Sequence, residues 1–153
     1  MKAISLWQPW ASLWISDAKV HETRHWPTSY RGWLVVHAAK RRIDDLSGDR
    51  LDEICDGIWG HHWGLELPRG ALIGAVKLVS CIRMNKTAPA SEDDEECGDW
   101  SDERYAWRRD QFKVFDQPIP YRGQQGMFVV PDNLLPKKTV LSFPGDPDLE
   151  LNF

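Results

Sequence analysis

Apolar positions along the chain alternate between short continuous runs and helix-spaced sets, with turn-forming residues between them. Ile4-Ser5-Leu6-Trp7 reads as a strand start that meets Gln8-Pro9. Proline suits the first turn of a helix, where its missing N–H costs nothing. Trp10, Leu13 and Trp14 then fall at helical spacing and predict a short helix packed by one face, ended by Asp17-Ala18. Val20 to Arg24 reads as extended. Pro27 to Gly32 is a turn by composition, and Trp33 to Ala38 is a near-continuous apolar run expected as a buried strand. Residues 44–58 carry Leu46, Leu51, Ile54, Cys55 and Ile58 among charges, an amphipathic helix with Asp44 or Asp45 as cap and Gly57 and Gly60 as breakers. Trp59, His61, His62 and Trp63 are expected in a loop.

Leu67 to Gly70 is a turn before the strongest strand pattern, Ala71 to Ile82. A further strand is expected from Tyr105 to about Phe115. Pro118 and Pro120 exclude a central strand there, because proline donates no ladder hydrogen bond. Tyr121 to Gly126 forms a loop into a short last strand, Met127–Val130, and residues 133–135 form a helical turn. Strands dominate and two helices interrupt them. The expectation is an α+β fold, a small β-barrel with helices packed outside, in one domain over residues 1–135 with a tail over 136–153. No internal repeat is present.

Composition changes this picture in three places. Hydrophobic content of 42% and charged content of 27% are ordinary for a globular chain, and no apolar run approaches membrane-spanning length. The N-terminus lacks the apolar region of a secretory signal, and Cys55, Cys81 and Cys97 form an odd, unpatterned set. Both features predict reduced thiols in a cytoplasmic protein. The net charge of −4 conceals an uneven distribution: eight of the 23 carboxylates lie in residues 91–103, where no Lys or Arg occurs. The remainder holds 15 acids against 19 bases, a mildly basic body with one acidic segment. Carboxylates so crowded repel one another, so the segment is expected to be a mobile, poorly packed loop able to dock a basic protein partner. Finally, nine tryptophans are many for this length, and some are expected to line a cleft.

The chemistry concentrates at Lys19, Glu22 and Arg24. Together they can hold one polar, planar ligand, or they can be surface ion pairs of little worth. Lys19 can contact phosphate or act as a base if buried, Glu22 can accept the amino hydrogens of a nucleobase, and Arg24 can pair with phosphate or brace Glu22. Gln8 stands beside them. Trp7, Trp10, Tyr105 and Trp107 are candidate stacking surfaces, with Trp10 or Trp107 expected to be more exposed than Trp7. Lys40, Arg41 and Arg42 with Arg104, Arg108 and Arg109 form a candidate phosphate-tracking rim, and Arg122 beside Gly123 a candidate border of the cleft. Each of these residues has an ordinary structural reading as well. Zinc at His61-His62 and Cys55 is rejected for want of four ligands at recognised spacing. No metal or other cofactor is expected, and no catalytic Ser-His-Asp order or glycine-rich phosphate loop stands out.

The opening Ser5 to Ala11, the K-x-x-E-x-R pattern of Lys19, Glu22 and Arg24, and Tyr30-Arg31-Gly32 with the strand to His37 share one likeness. The Ala71–Val79 strand, Tyr105 to Trp107, and Pro118-Ile119-Pro120 with Gly123 and Gly126 to Phe128 complete it. Over roughly residues 3–131 the chain resembles the ASCH domains, the activating-signal-cointegrator homology family, which share a barrel with the PUA RNA-binding fold. The resemblance implies a five- or six-stranded PUA-like barrel, one cleft beside the first helix, and binding of RNA or a modified nucleotide. One branch of that family removes an acyl group from acetylated cytidine with a lysine, a threonine three residues later and a distant glutamate. Here Lys19 stands at the lysine position, Glu22 takes the place of the threonine, and strand alternation points Thr23 to the other face. Other members are linked to RNA cleavage. Three readings therefore stand: a binding module, a hydrolase with Lys19 and Glu22 as its catalytic pair, and a protein-interaction module.

Overall fold

The computed structural model describes residues 1–41 and 49–137. Arg42, the expected caps Asp44 and Asp45, Leu46 and the tail from Lys138 onward lie outside them. The elements run β1 (Lys2–Leu6), α1 (Trp10–Trp14), β2 (His21–Arg24), β3 (Gly32–Ala38), α2 (Asp49–Trp59), α3 (Trp63–Glu66), β4 (Ala71–Arg83), α4 (Glu92–Glu96), β5 (Tyr105–Pro120) and β6 (Met127–Val129). Short 3-10 turns cover Met84–Lys86 and Asp132–Leu134.

The strands form one sheet in the order β2-β5-β4-β3-β1-β6. β1 and β3 pair in parallel and every other neighbouring pair is antiparallel. The long β4–β5 ladder shifts register after Leu72, Lys77 and Leu78, and such irregularities bend strands and raise their twist. The result is a curled half-barrel, the open form of the expected PUA-like α+β fold. Among the described residues no ladder joins β2 to β6.

Pleating explains the continuous apolar run of β3. Leu34 and Val36 face one core with Ile4, Leu6, Val76 and Trp14. Val35 faces the other with Ala3, Leu72, Ala75, Phe115 and Phe128. A strand covered on both faces has no polar side to show. The prolines of β5 fit their position: Ile119 and Pro120 pair with Leu72 and Ala71, while β2 reaches only Tyr105 to Arg108 on the other side. Pro118 and Pro120 thus stand on a locally free edge.

Four expectations are corrected. Helix α1 is buried through Ala11, Ser12, Leu13 and Trp14 and not by one face, because Leu13 packs on Leu51, Ile54, Cys55 and Cys97 while Trp14 packs on the sheet. Helix α2 runs through Gly57 to Trp59 and ends before Gly60, whose φ of +84° favours glycine. Trp63 begins α3. The largest correction is the acidic segment. Ser91 caps α4 by accepting the Asp94 N–H, and Asp94 and Cys97 are fully buried.

Candidate ligand cavity beside the first helix

The cavity begins with how the chain leaves α1. The buried guanidinium of Arg109 donates to the carbonyls of Trp14 and Lys19 at 2.8 Å each and to that of Ser16. It thereby takes up carbonyls that a helix end leaves open and turns the chain into β2. Burial pushes the Arg109 pKa down to about 10, where the group is still a cation at neutral pH. The start of β2 is then fixed from the other side. Asp94 accepts the N–H groups of Val20, His21 and Ala90 at 2.7, 2.9 and 2.9 Å and pairs with His21 Nδ1 at 2.6 Å.

Between these two clamps Lys19 is carried inward. Its Nζ donates to the Cys97 carbonyl at 2.6 Å and pairs with Glu22 Oε2 at 3.2 Å. The lysine side chain is 1% exposed and the glutamate 8%. Glu22 Oε1 lies 3.7 Å from Arg24 Nη1, so one carboxylate bridges two cations. Arg104 crosses to the Thr23 carbonyl at 2.9 Å and stands 3.5 Å from Asp99 Oδ2. Thr23 lines the same cavity as Lys19 and Glu22, against the expectation that strand alternation points it away, and its Oγ1 accepts the Asp99 N–H from the segment after α4 at 2.9 Å.

These groups wall a cavity of about 330 Å³, with Trp10 and Leu51 supplying apolar surface. Lys19, Arg24 and Arg104 line it together with Glu22, Glu96 and Asp99, three cations and three carboxylates. The Nε atoms of Arg24 and Arg104 are buried and make no hydrogen bond among the described residues, the Arg104 Nε being met by Asp99 Oδ2 only as an ion pair at 3.5 Å. Buried donors of this kind are uncommon unless water or ligand meets them.

Of the residues expected at a site, Trp10, Lys19, Glu22, Arg24 and Arg104 are brought together here. Tyr105 is half-buried opposite Arg24 in the β2–β5 ladder and packs on the core. Several others go elsewhere. Trp107 is fully buried and donates to the Trp26 carbonyl at 3.2 Å, whereas Trp7 is 48% exposed, the reverse of the expected order. Trp7 follows the last residue of β1, while Trp107 is pinned mid-ladder opposite Glu22 and Cys81. Gln8 is buried and spent on Ser12 and the Pro68 carbonyl. Arg109 is no rim residue, because its donors are taken up at the end of α1. Arg108 is exposed on β5. Arg41 lies with its guanidinium 4.6 Å from the Trp7 ring centroid.

Lys40 and Arg122 line a second cavity of about 860 Å³, with Ser5, His37 and Arg69. The single expected cleft is therefore two separate ones. A third, of about 970 Å³, lies between α2 and the Ser16–Ala18 turn and contains none of the expected residues.

Sequence reasoning passed over Asp94, Cys97 and Asp99. Ser91 followed by Asp94 is a helix-start signature, and within an acidic run that signal is masked by its neighbours. Both buried thiols are pushed up, Cys55 to about 12 and Cys97 to about 11, chiefly by burial, so neither offers a ready thiolate at neutral pH. Among the described residues no cluster of three His, Cys, Asp or Glu side chains can hold a metal ion. No helix there is long and apolar enough to cross a membrane.

Comparison with known proteins bears on the same region. The model of the ASCH domain matches residues 4–125. Activating signal cointegrator 1 of Mus musculus is 32% identical over 81 residues, and that of Homo sapiens 31% over 81 residues. The matched stretch is 52% of this chain and 14% of each cointegrator, so the likeness concerns one portion of much longer proteins. The crystal structure of ASCH from Zymomonas mobilis superposes with a TM-score of 0.51 at 12% identity, covering 87% of this chain and 89% of the other. That likeness is one of fold.

Proposed function

Because the chain belongs to the ASCH domain family, generally related to RNA binding, we propose that it binds RNA or a modified nucleotide by taking one base into the Lys19 cavity. The observation that carries this reading is the buried Lys19–Glu22 pair opening into a cavity of about 330 Å³. Lys19 supplies a donor, Glu22 an acceptor, and the unfilled Nε of Arg24 a second donor. A nucleobase edge carries the matching acceptors and amino hydrogens, and its flat face can rest on Trp10, a contact worth about 1–3 kcal/mol. The balanced charge of the cavity favours the base over the phosphate.

Titration calorimetry with nucleosides and short single-stranded RNAs tests this. Lys19→Met combined with Glu22→Gln removes both charges together and leaves no buried carboxylate unpaired. The double variant is expected to lose at least tenfold in affinity while keeping its fold. Unchanged affinity would make the pair a structural fastening.

A hydrolase reading draws on the same pair, since Glu22 beside a buried lysine can orient a water. The Thr23 hydroxyl accepts the Asp99 N–H, and Glu22 holds the position of the family's threonine. Binding without turnover is therefore the preferred form. Acetylated cytidine incubated with the protein is expected to be recovered intact. Turnover that vanishes in Glu22→Gln would replace binding with hydrolysis.

A further inference from the structure

The second cavity differs in kind from the first. Among the described residues its lining includes Lys40, Arg69 and Arg122 and no Asp or Glu. In a chain of net charge −4, three cations share one hollow of about 860 Å³ with no carboxylate among the described residues of its wall. Among the described residues none of the three forms an ion pair, and the hydrogen bond recorded for them runs from Arg69 to the Gly64 carbonyl. Like charges gathered this way repel one another, and an anion placed between them relieves that repulsion.

The floor is built by the parallel β1–β3 register, which sets Ser5 beside His37 although 32 residues separate them. His37 Nε2 lies 2.9 Å from the Tyr121 carbonyl, which can only accept, so Nε2 carries the proton. Nδ1 then accepts from the Ser5 hydroxyl at 2.9 Å. Burial pushes the His37 ring below the ordinary histidine range, with the Tyr121 contact opposing it in part, so the floor is neutral and the charge sits on the walls. The loop crosses this floor at Gly123. A Cβ there would fall 2.5 Å from His37 Cε1 and 2.6 Å from Ser5 Oγ, so a glycine is what lets Arg122 reach the cavity rim.

The two cavities are neighbours along the chain. Ser5 lines the second and Trp10 the first, and five residues span at most about 18 Å. The exposed Trp7 lies between them in sequence. We propose that the Lys40–Arg69–Arg122 cavity seats a phosphate group of the same nucleic acid strand whose base enters the Lys19 cavity. The strand rests on the function proposed above; the phosphate site rests on its own geometry. Charge is thus divided between the two cavities, one balanced for a base and one wholly cationic for a phosphate.

Inorganic pyrophosphate and a short single-stranded RNA separate the two claims. Each is titrated into the wild type, the single variant Arg122→Gln and the triple variant Lys40→Gln, Arg69→Gln, Arg122→Gln. The readouts are the His37 ring and Gly123 amide NMR signals, with RNA affinity measured across a salt series. Both probes are expected to move those signals in the wild type. The triple variant is expected to lose at least tenfold in RNA affinity at low salt. Its log–log salt slope should flatten by about 0.7, the contribution of one neutralised single-strand phosphate. Arg122→Gln alone should fall between. Pyrophosphate binding here without RNA binding would keep an anion site and overturn the strand as its source. RNA bound with unchanged affinity and slope by the triple variant would overturn this site and leave the Lys19 reading standing. Signals unmoved by both probes, with no RNA bound, would overturn both.

Discussion

A carboxylate in the middle of an acidic run ordinarily faces water, yet Asp94 is fully buried and bonded to Val20, His21 and Ala90. Burial by itself would raise its pKa; the His21 ring and the N–H groups of Ala90 and His21 outweigh that and hold it at about 2. A carboxyl whose folded pKa lies below its unfolded value stabilises the fold fully above the unfolded value. That contribution is lost as pH falls from about 4 toward 2, and it amounts to about 2 kcal/mol. Urea unfolding of Asp94→Asn is expected to show a loss of at least that size at pH 7 and a flatter dependence below pH 4 than the wild type. Equal slopes would mean that another group carries the acid sensitivity. Legibility at this scale was uneven. The K-x-x-E-x-R spacing put Lys19, Glu22 and Arg24 within reach of one another, because a turn and a short strand keep near neighbours near. Asp94 is 73 residues from His21, and no local pattern announces such a contact.

At the scale of elements, α4 is a clamp on β2. Its five residues are all acidic, and a helix that short does not hold in water without tertiary contacts. What holds it is the Ser91 cap, the Asp94 bonds and the burial of Cys97 beside Leu13 and Ile54. The amides of Val20 and His21 are expected to exchange slowly with deuterium, and Asp94→Asn should speed both while leaving the mid-sheet amides of β3 and β4 protected. Protection unchanged at Val20 and His21 would show that β2 is held by β5 alone. Strand runs such as β3 and β4 were legible because burial writes itself into hydrophobic pattern. Helix α4 was not, because its sequence is all charge and its stability is all context.

Across the whole molecule, the uneven charge seen in the sequence takes on a geometry. Glu92, Glu95, Asp102 and Glu103 are exposed and line neither the Lys19 nor the Lys40 cavity. Their field acts on an approaching polyanion without contact. Changing these four to Gln or Asn takes the net charge from −4 to 0 and is expected to raise RNA affinity severalfold at low salt. The gain should fade as the Debye length shrinks to about 10 Å at 0.1 M. Equal affinity at low salt would confine the acidic segment to its role as a clamp. The curled sheet was foreseeable from the order of strands, turns and the family likeness. The division into two cavities was not, because Ser5 meets His37 only through the parallel β1–β3 register. The claim that a base enters the Lys19 cavity is tested most directly by titrating single-stranded RNA into isotope-labelled protein and following the Trp10 indole N–H and the Thr23 and Arg24 amides. Saturable shifts at all three, weakened at least tenfold by Lys19→Met with Glu22→Gln, are expected. Binding that leaves these signals in place and moves those of Asp17, Arg50 and Phe112, around the third cavity, would contradict it.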